Sequence, residues 1–262
     1  MQTFKTGIIT DNLKLEPFAA LKAAQSLQIN GVQVYASGAM APENLDKDSR
    51  KKYRDTVKAY GLEISALCTG IGSAFKQIPP IRQVVDATLK TIDLAVDLDT
   101  KIITSHIGHI PDDEHSARFN AMLEVCGEIG EYAKLRGVTI ACETGTDTPE
   151  TLIRFINKLP KDSFKINFDP ANFVMCLNYD PVKAVYELGD YIVHTHVKDG
   201  VYVDGVKYLE KLPGQGDVDF EKYYKALLKV GYSGYLTVER ECGNDRLSDI
   251  KKAVSFVKAL IK

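Results

Sequence analysis

In the segment Tyr191-Ile-Val-His-Thr-His-Val-Lys-Asp-Gly200, His194, His196 and Lys198 alternate with Val193, Thr195 and Val197. Side chains alternate across a strand, so one face is apolar and the other carries two imidazoles and an ammonium. Burying such groups is costly unless each finds a partner. Three other runs share this construction. Ile140 and Cys142 oppose Thr139, Ala141 and Glu143; Ile166 and Phe168 oppose Lys165, Asn167 and Asp169; Leu236 and Val238 oppose Thr237, Glu239 and Glu241. If no strand is bulged, Glu143, Asp169, His196 and Glu239 meet near the strand ends. Three ionised carboxylates so close repel one another. A divalent cation relieves that repulsion, and this donor set suits Mn²⁺, Mg²⁺, Co²⁺ or Zn²⁺. Held there with open positions, the ion would polarise a sugar carbonyl and its neighbouring hydroxyl. Glu143 or Glu239 would then move the acidified α proton.

The neighbouring residues suggest the rest of a pocket. At ~3.3 Å per residue, His194 lies about 6–7 Å below His196 and Lys198 as far above it, within reach of a substrate oxygen. Asp199 starts the next loop and is expected to orient Lys198 or His196. His106 ends another apolar run and is read as a pocket residue. Phe75, in Thr69-Gly-Ile-Gly-Ser-Ala-Phe75, is placed to cover substrate. The amides of Pro213-Gly-Gln-Gly-Asp217 offer a cradle for a sugar oxygen or a phosphate. Taken singly, each residue has a plainer structural role, as a hydrogen-bonded core histidine or a capping carboxylate. Repetition on four strands is what favours a metal centre.

The elements that position these groups are eight short runs rich in Ile and Val: Gly7–Thr10, Gly31–Tyr35, Glu63–Cys68, Lys101–Ile107, Val138–Thr144, Phe164–Phe168, Tyr191–Val197 and Tyr235–Arg240. They are too short for helices and read as buried strands. Amphipathic helices lie between them. Thr148-Pro149 opens one, and Asp219 opens another that ends at Gly231. Leu123–Leu135 ends before Gly137 and Lys51–Tyr60 before Gly61, and a last helix spans about Leu247–Ile261. Eight strands alternating with eight helices over 262 residues predict an α/β fold, a (β/α)8 TIM barrel forming one domain over residues 1–262. No G-x-G-x-x-G follows the first strand, which weakens a doubly wound dinucleotide-binding alternative.

Composition excludes several classes of function. A formal net charge of −2, with lysines spread over helix faces, gives no footprint for nucleic acid. Five cysteines without a C-x-x-C pattern argue against a disulfide framework or a thiolate zinc site. The first residues lack a signal-peptide pattern and no apolar run approaches the ~18 residues of a membrane span. The expectation is a cytoplasmic protein with a small carbohydrate substrate, no nucleic-acid partner and no membrane partner. Exposed barrel faces often pair, so a homo-oligomer is allowed.

The motifs Cys-Glu143-Thr-Gly, Asn167-Phe-Asp169-Pro-Ala-Asn172, His194-Thr-His196-Val-Lys198-Asp199, Pro213-Gly-Gln-Gly-Asp-Val-Asp219 and Leu-Thr-Val-Glu239-Arg follow in order along the chain, with Ser105-His106-Ile-Gly-His-Ile-Pro111 before them. At these residues the sequence resembles the sugar phosphate isomerase/epimerase family of xylose-isomerase-like barrels. The resemblance implies one divalent metal on Glu143, Asp169, His196 and Glu239, with both glutamates exchanging the substrate proton. The expected substrate-binding set is His106, Asn172, His194, Lys198 and Phe75. The chain departs from the family's ketose 3-epimerases at three positions. Asn172 stands where they commonly carry His, Tyr202 where they carry Arg, and Gln215 where many relatives carry Glu. The expected function is a metal-dependent sugar isomerase or epimerase working through an enediolate. The rivals are a dehydratase or lyase on a keto-sugar or inositol derivative, an endonuclease IV-like phosphodiesterase, and a non-catalytic sugar-binding barrel.

Overall fold

The computed structural model describes residues 4–76, 80–204 and 208–261. Eight parallel strands close into a barrel: β1 (Lys5–Ile9), β2 (Gly31–Tyr35), β3 (Glu63–Thr69), β4 (Ile102–Ser105), β5 (Thr139–Glu143), β6 (Phe164–Phe168), β7 (Ile192–Val197) and β10 (Tyr235–Val238). Their order round the barrel is β1-β10-β7-β6-β5-β4-β3-β2, with β2 pairing back to β1. Two short strands, β8 (Asp199–Gly200) and β9 (Glu210–Lys211), pair antiparallel in the loop after β7. The predicted (β/α)8 barrel is therefore the observed one.

Nine α-helices are described rather than the expected eight: α1 (Pro17–Ser26), α2 (Lys47–Ala59), α3 (Ile81–Asp97), α4 (Ala117–Arg136), α5 (Pro149–Ile156), α6 (Pro170–Leu177), α7 (Pro181–Leu188), α8 (Phe220–Lys229) and α9 (Arg246–Leu260). The addition is α6, a short helix directly after β6. Thr148 and Asp219 cap α5 and α8 as expected, each accepting a backbone N–H in the first turn. Two helices begin earlier than the apolar pattern suggested. Asp46 caps α2 through Ser49 N, and Ser116 caps α4 through Phe119 N, so polar first turns extend both. Among the described residues no helix is long and apolar enough to cross a membrane.

The strand phases hold where the site needs them. Phe168 packs outward on Phe173 of α6 and Tyr223 of α8. Inward residues bond across the barrel: Gln33 of β2 donates to Thr104 of β4, and Ser65 of β3 donates to His194 of β7. The register does slip twice, between Val32 and Gln33 in β2 and between Ile166 and Asn167 in β6. The second slip skips Val193 in β7, below the two histidines, and leaves the phase of His194, His196 and Lys198 intact. Lys165, expected to face in, instead pairs with Asp162 at 3.6 Å and lies over the Tyr191 ring. Strand β4 stops at Ser105, so His106 stands in the loop beyond it.

Candidate metal centre and cavity

Glu143 is the last residue of β5, and Asp169 and Glu239 each follow directly on β6 and β10, while His196 lies within β7. Glu143, Asp169, His196 and Glu239 are all buried, and one ligand atom from each lies within 4.8 Å of the others. His196 Nδ1 is 3.0 Å from Glu239 Oε2, 3.6 Å from Glu143 Oε1 and 3.8 Å from Asp169 Oδ2. The four elements come together because β10, β7, β6 and β5 are consecutive in the barrel.

Each side chain is held from behind. Asp169 Oδ1 caps α6 by accepting from Ala171 N at 2.8 Å and Asn172 N at 3.1 Å. Its second oxygen, Oδ2, is buried without a hydrogen-bond partner, and so is His196 Nδ1. Buried polar atoms are rarely left unpaired, and two orphans facing one point mark a place for a ligand. His196 Nε2 donates to Gln33 Oε1 at 3.0 Å, which turns Nδ1 toward the carboxylates. Three carboxylates and one imidazole with free lone pairs suit a divalent cation, so the residues present fit the expected ion.

Charge is balanced tightly around these groups. Burial alone would push the His196 imidazole down, but Glu239, Glu143 and Asp169 outweigh it and hold it well above the usual histidine range. Burial would raise both glutamates. His106 and His196 instead hold Glu143 below the usual carboxylate range, and Lys198 and His196 do the same for Glu239. For Asp169 burial wins and its carboxyl is raised. Lys198 stays an ammonium despite its burial, because Glu239, Asp169 and Glu241 surround it. Its Nζ lies 3.0 Å from Glu239 and 2.6 Å from Glu241.

Above the cluster opens a cavity of about 430 Å³ whose lining includes Glu143, His106, Asn172, Lys198, Tyr208 and Glu241. That volume suits a sugar-sized ligand. Glu143 reaches this space, whereas Glu239 does not line it and is held between His196 and Lys198. His106 Nε2 lies 3.4 Å from Glu143 Oε1.

A model of the family described as xylose isomerase-like TIM barrel matches residues 21–260. The chain belongs to the xylose isomerase-like TIM barrel family. Among its relatives is a fructoselysine 3-epimerase of Shigella flexneri, 24% identical over 253 residues that span 90% of this chain and 89% of the relative. An inosose dehydratase of Clostridium tetani is 23% identical over 214 residues, 70% of this chain and 71% of the relative. The chain spans 62% of the length of one further relative. A solved xylose isomerase domain protein from Planctomyces limnophilus superposes with a TM-score of 0.86 at 23% identity, covering 98% of this chain and 96% of the other.

Within this xylose isomerase-like barrel, two of the expected substrate-binding residues stand elsewhere. His194 is fully enclosed: Nδ1 donates to Asn167 Oδ1 at 2.8 Å, and Nε2 accepts from Ser65 and Thr237. Burial holds its imidazole well below the usual range, so it is a neutral strut beneath the site. Phe75 does not line the cavity; its ring packs on the hydrophobic core beside Gly108. Asp199 also differs from expectation. Its carboxylate touches neither Lys198 nor His196 and accepts from the amides of Gly200, Gly214, Gly216 and Val218. Gln33, Tyr208 and Asp147 were not anticipated. Gln33 did leave a signal, as an amide between two valines in Gly-Val-Gln-Val-Tyr. Tyr208 and Asp147 lie in loops, where periodicity says nothing.

Proposed function

We propose that the protein is a divalent-metal-dependent isomerase or epimerase of a small keto-sugar. The observation that carries this reading is the pair of orphaned buried atoms, Asp169 Oδ2 and His196 Nδ1, facing Glu143 and Glu239 below a sugar-sized cavity. Glu143, Asp169, His196 and Glu239 would hold the cation. When bound, it supplies Lewis acidity toward a carbonyl and the adjacent hydroxyl. Glu143 is the better placed base, because it lines the cavity and its neighbours keep it ionised. Its carboxylate takes the proton from the carbon next to the carbonyl, and the electron pair of that C–H bond becomes the enediolate. Returning the proton to the neighbouring carbon isomerises the sugar; returning it to the opposite face epimerises it. Glu239 would act as the second group for that exchange only once it leaves the Lys198 ammonium it now holds, and Lys198 lines the cavity where the oxyanion develops. The fructoselysine 3-epimerase relative supports this chemistry.

A second reading is dehydration of a keto-sugar or inositol derivative through the same enolate. It is favoured by the inosose dehydratase relative and by Lys198, whose proton can leave with a departing hydroxyl as water. The test is elemental mass spectrometry on untagged protein beside His196→Ala and Glu239→Gln, followed by a keto-sugar screen in D₂O. Near-stoichiometric metal in the wild type and its loss in His196→Ala are expected. Deuterium incorporation with conserved mass marks an isomerase or epimerase, and loss of water marks the dehydratase. No metal after incubation with each ion, and no exchange into any keto-sugar, would sink both readings.

A further inference from the structure

Asp147 is a buried ionisable group that the chemistry described so far leaves unused. Its side chain is only 8% exposed, yet it lines the cavity. It stands in the segment between β5 and α5, beyond Glu143. Its Oδ1 accepts from Ile110 N at 3.1 Å and faces His109 Nδ1 at 2.8 Å. Burial pushes its carboxyl above the usual carboxylate range, against the pull of the Ile110 amide and the His109 imidazole. A desolvated carboxylate in that condition gains when the imidazole beside it takes up a proton.

His109 lines the same cavity but has a side chain 62% exposed. A carboxylate facing Nδ1 favours the proton on that nitrogen and leaves the lone pair on Nε2. Among the described residues no protein hydrogen bond falls on His109 Nε2. A carboxylate that orients an imidazole and steadies its charged form is a recurring device for moving protons at oxygen. The backbone that bears the ring is pinned: Arg118 donates to the His109 carbonyl, and Arg154 to those of Pro111 and Asp112.

The pairing repeats between the same two loops. His106 Nε2 lies 3.4 Å from Glu143 Oε1, and three and four residues further along those loops His109 meets Asp147. Both pairs line one cavity. Joining the loops needs only the Ile110 bond, because an ion pair with one partner so exposed adds little stability. Glu143 serves the proton on carbon, whereas moving a carbonyl along a sugar also requires a proton to leave one oxygen and reach its neighbour.

We propose that His109, with Asp147 as its positioning residue, is a further acid–base residue of this cavity and carries a proton between neighbouring oxygens of the substrate. This rests on the reading of the site as a sugar-isomerising centre. Glu143 takes the proton from carbon, the C–H pair forms the double bond of the enediolate, and the carbonyl π pair moves to its oxygen. His109 Nε2 then takes the proton of the adjacent hydroxyl, whose O–H pair becomes the new carbonyl bond. The pair of the double bond takes the proton back from Glu143 at the former carbonyl carbon, and His109 gives its proton to the former carbonyl oxygen. Both residues end as they began. Epimerisation leaves the carbonyl in place and does not call on His109, so this pair points to isomerisation.

The experiment has two arms. The first is carbethoxylation by diethylpyrocarbonate at about pH 8, above the ordinary histidine value, followed by peptide mass spectrometry with the exposed His115 as internal reference. His109 is expected to react several-fold faster than His115. Asp147→Asn, which keeps an acceptor for Ile110 N and removes the charge, is expected to abolish that advantage and leave His115 unchanged. A His109 no faster than His115, or a rate untouched by Asp147→Asn, overturns the proposal. The second arm incubates metal-loaded wild type and His109→Gln with D-fructose, D-ribulose and D-xylulose in D₂O. Product formation is expected to fall about 10²–10⁴-fold in His109→Gln, while deuterium still washes into recovered ketose through Glu143. Equal loss of both, unchanged product formation, or an epimer as the only product overturns the proposal. A fast, Asp147-dependent His109 in a protein that exchanges none of these ketoses would refute the isomerase reading and the oxygen-to-oxygen step, while the activated pair itself stood.

Discussion

Gln33 Oε1 takes the Nε2–H of His196 at 3.0 Å, and its own Nε2 is fixed on Thr104 Oγ1 at 3.0 Å. Through this amide, β2 decides which nitrogen of a histidine on β7 faces the carboxylates. A ligating imidazole whose far N–H is anchored is better oriented and more basic toward a metal. Gln33→Leu removes the anchor and leaves His196 Nε2 with only the Asn167 amide nitrogen at 3.2 Å, while Thr104 keeps its bond to the Leu67 carbonyl. It is expected to weaken divalent-metal binding by about 10–100-fold, measured by competition with a chelating dye. Its stability cost is expected to be about 1–3 kcal/mol. An unchanged metal affinity would show that the His196 ring is set without Gln33, by the carboxylates and Asn167.

At the scale of elements, the β7 loop is organised by one carboxylate. Asp199 draws four amides spread over residues 200–218 onto itself, and the same segment carries Tyr208 to the cavity beside Lys198. Glu210 of β9 then clamps this segment to the loop after β10 through Arg240. Asp199→Ala leaves buried amides without an acceptor and is expected to cost about 2–4 kcal/mol. Limited proteolysis is expected to shift to new cuts between residues 200 and 218; an unaltered digest and melting temperature would refute the role. The sequence carried the alternation of β5, β6, β7 and β10 plainly, because a strand with one apolar face has a period of two. It therefore brought Glu143, Asp169, His196 and Glu239 to one place, as they are found. It misplaced Asp199 and Phe75, because a loop residue's direction depends on partners up to nineteen positions away, as Asp199 and Val218 show. It placed His194 on the correct face but one layer too far from solvent to meet a substrate.

For the whole molecule, a cation held by Glu143, Asp169, His196 and Glu239 would tie four consecutive strands together, and the unfolded chain offers no such assembly. A ligand that binds only the folded state stabilises it by mass action, about 4 kcal/mol at a thousand times the dissociation constant. For a chain of this size that is a rise of about 8–16 °C in melting temperature. Asp169→Asn, which removes an orphaned ligand oxygen, is expected to abolish most of it. The pH dependence follows from the cluster's charges. His196 is raised above its ordinary value, so in metal-free protein its imidazolium stabilises the fold below that value, and the contribution is lost as pH rises through the raised one. Glu143 and Glu239 are lowered, so their contribution is present above the ordinary carboxylate value and is lost as pH falls through the lowered ones. A cation needs His196 Nδ1 without its proton, and therefore competes with the state that stabilises the empty cluster at low pH. The melting gain from added Mn²⁺ is thus expected to be larger at about pH 8.5 than at about pH 6, astride the ordinary histidine value. Metal-free protein should change in the opposite sense, melting lower at the alkaline end. Differential scanning calorimetry with and without Mn²⁺ separates the two trends. A gain that is equal at both pH values, or larger in acid, would mean that His196 is not among the ligands.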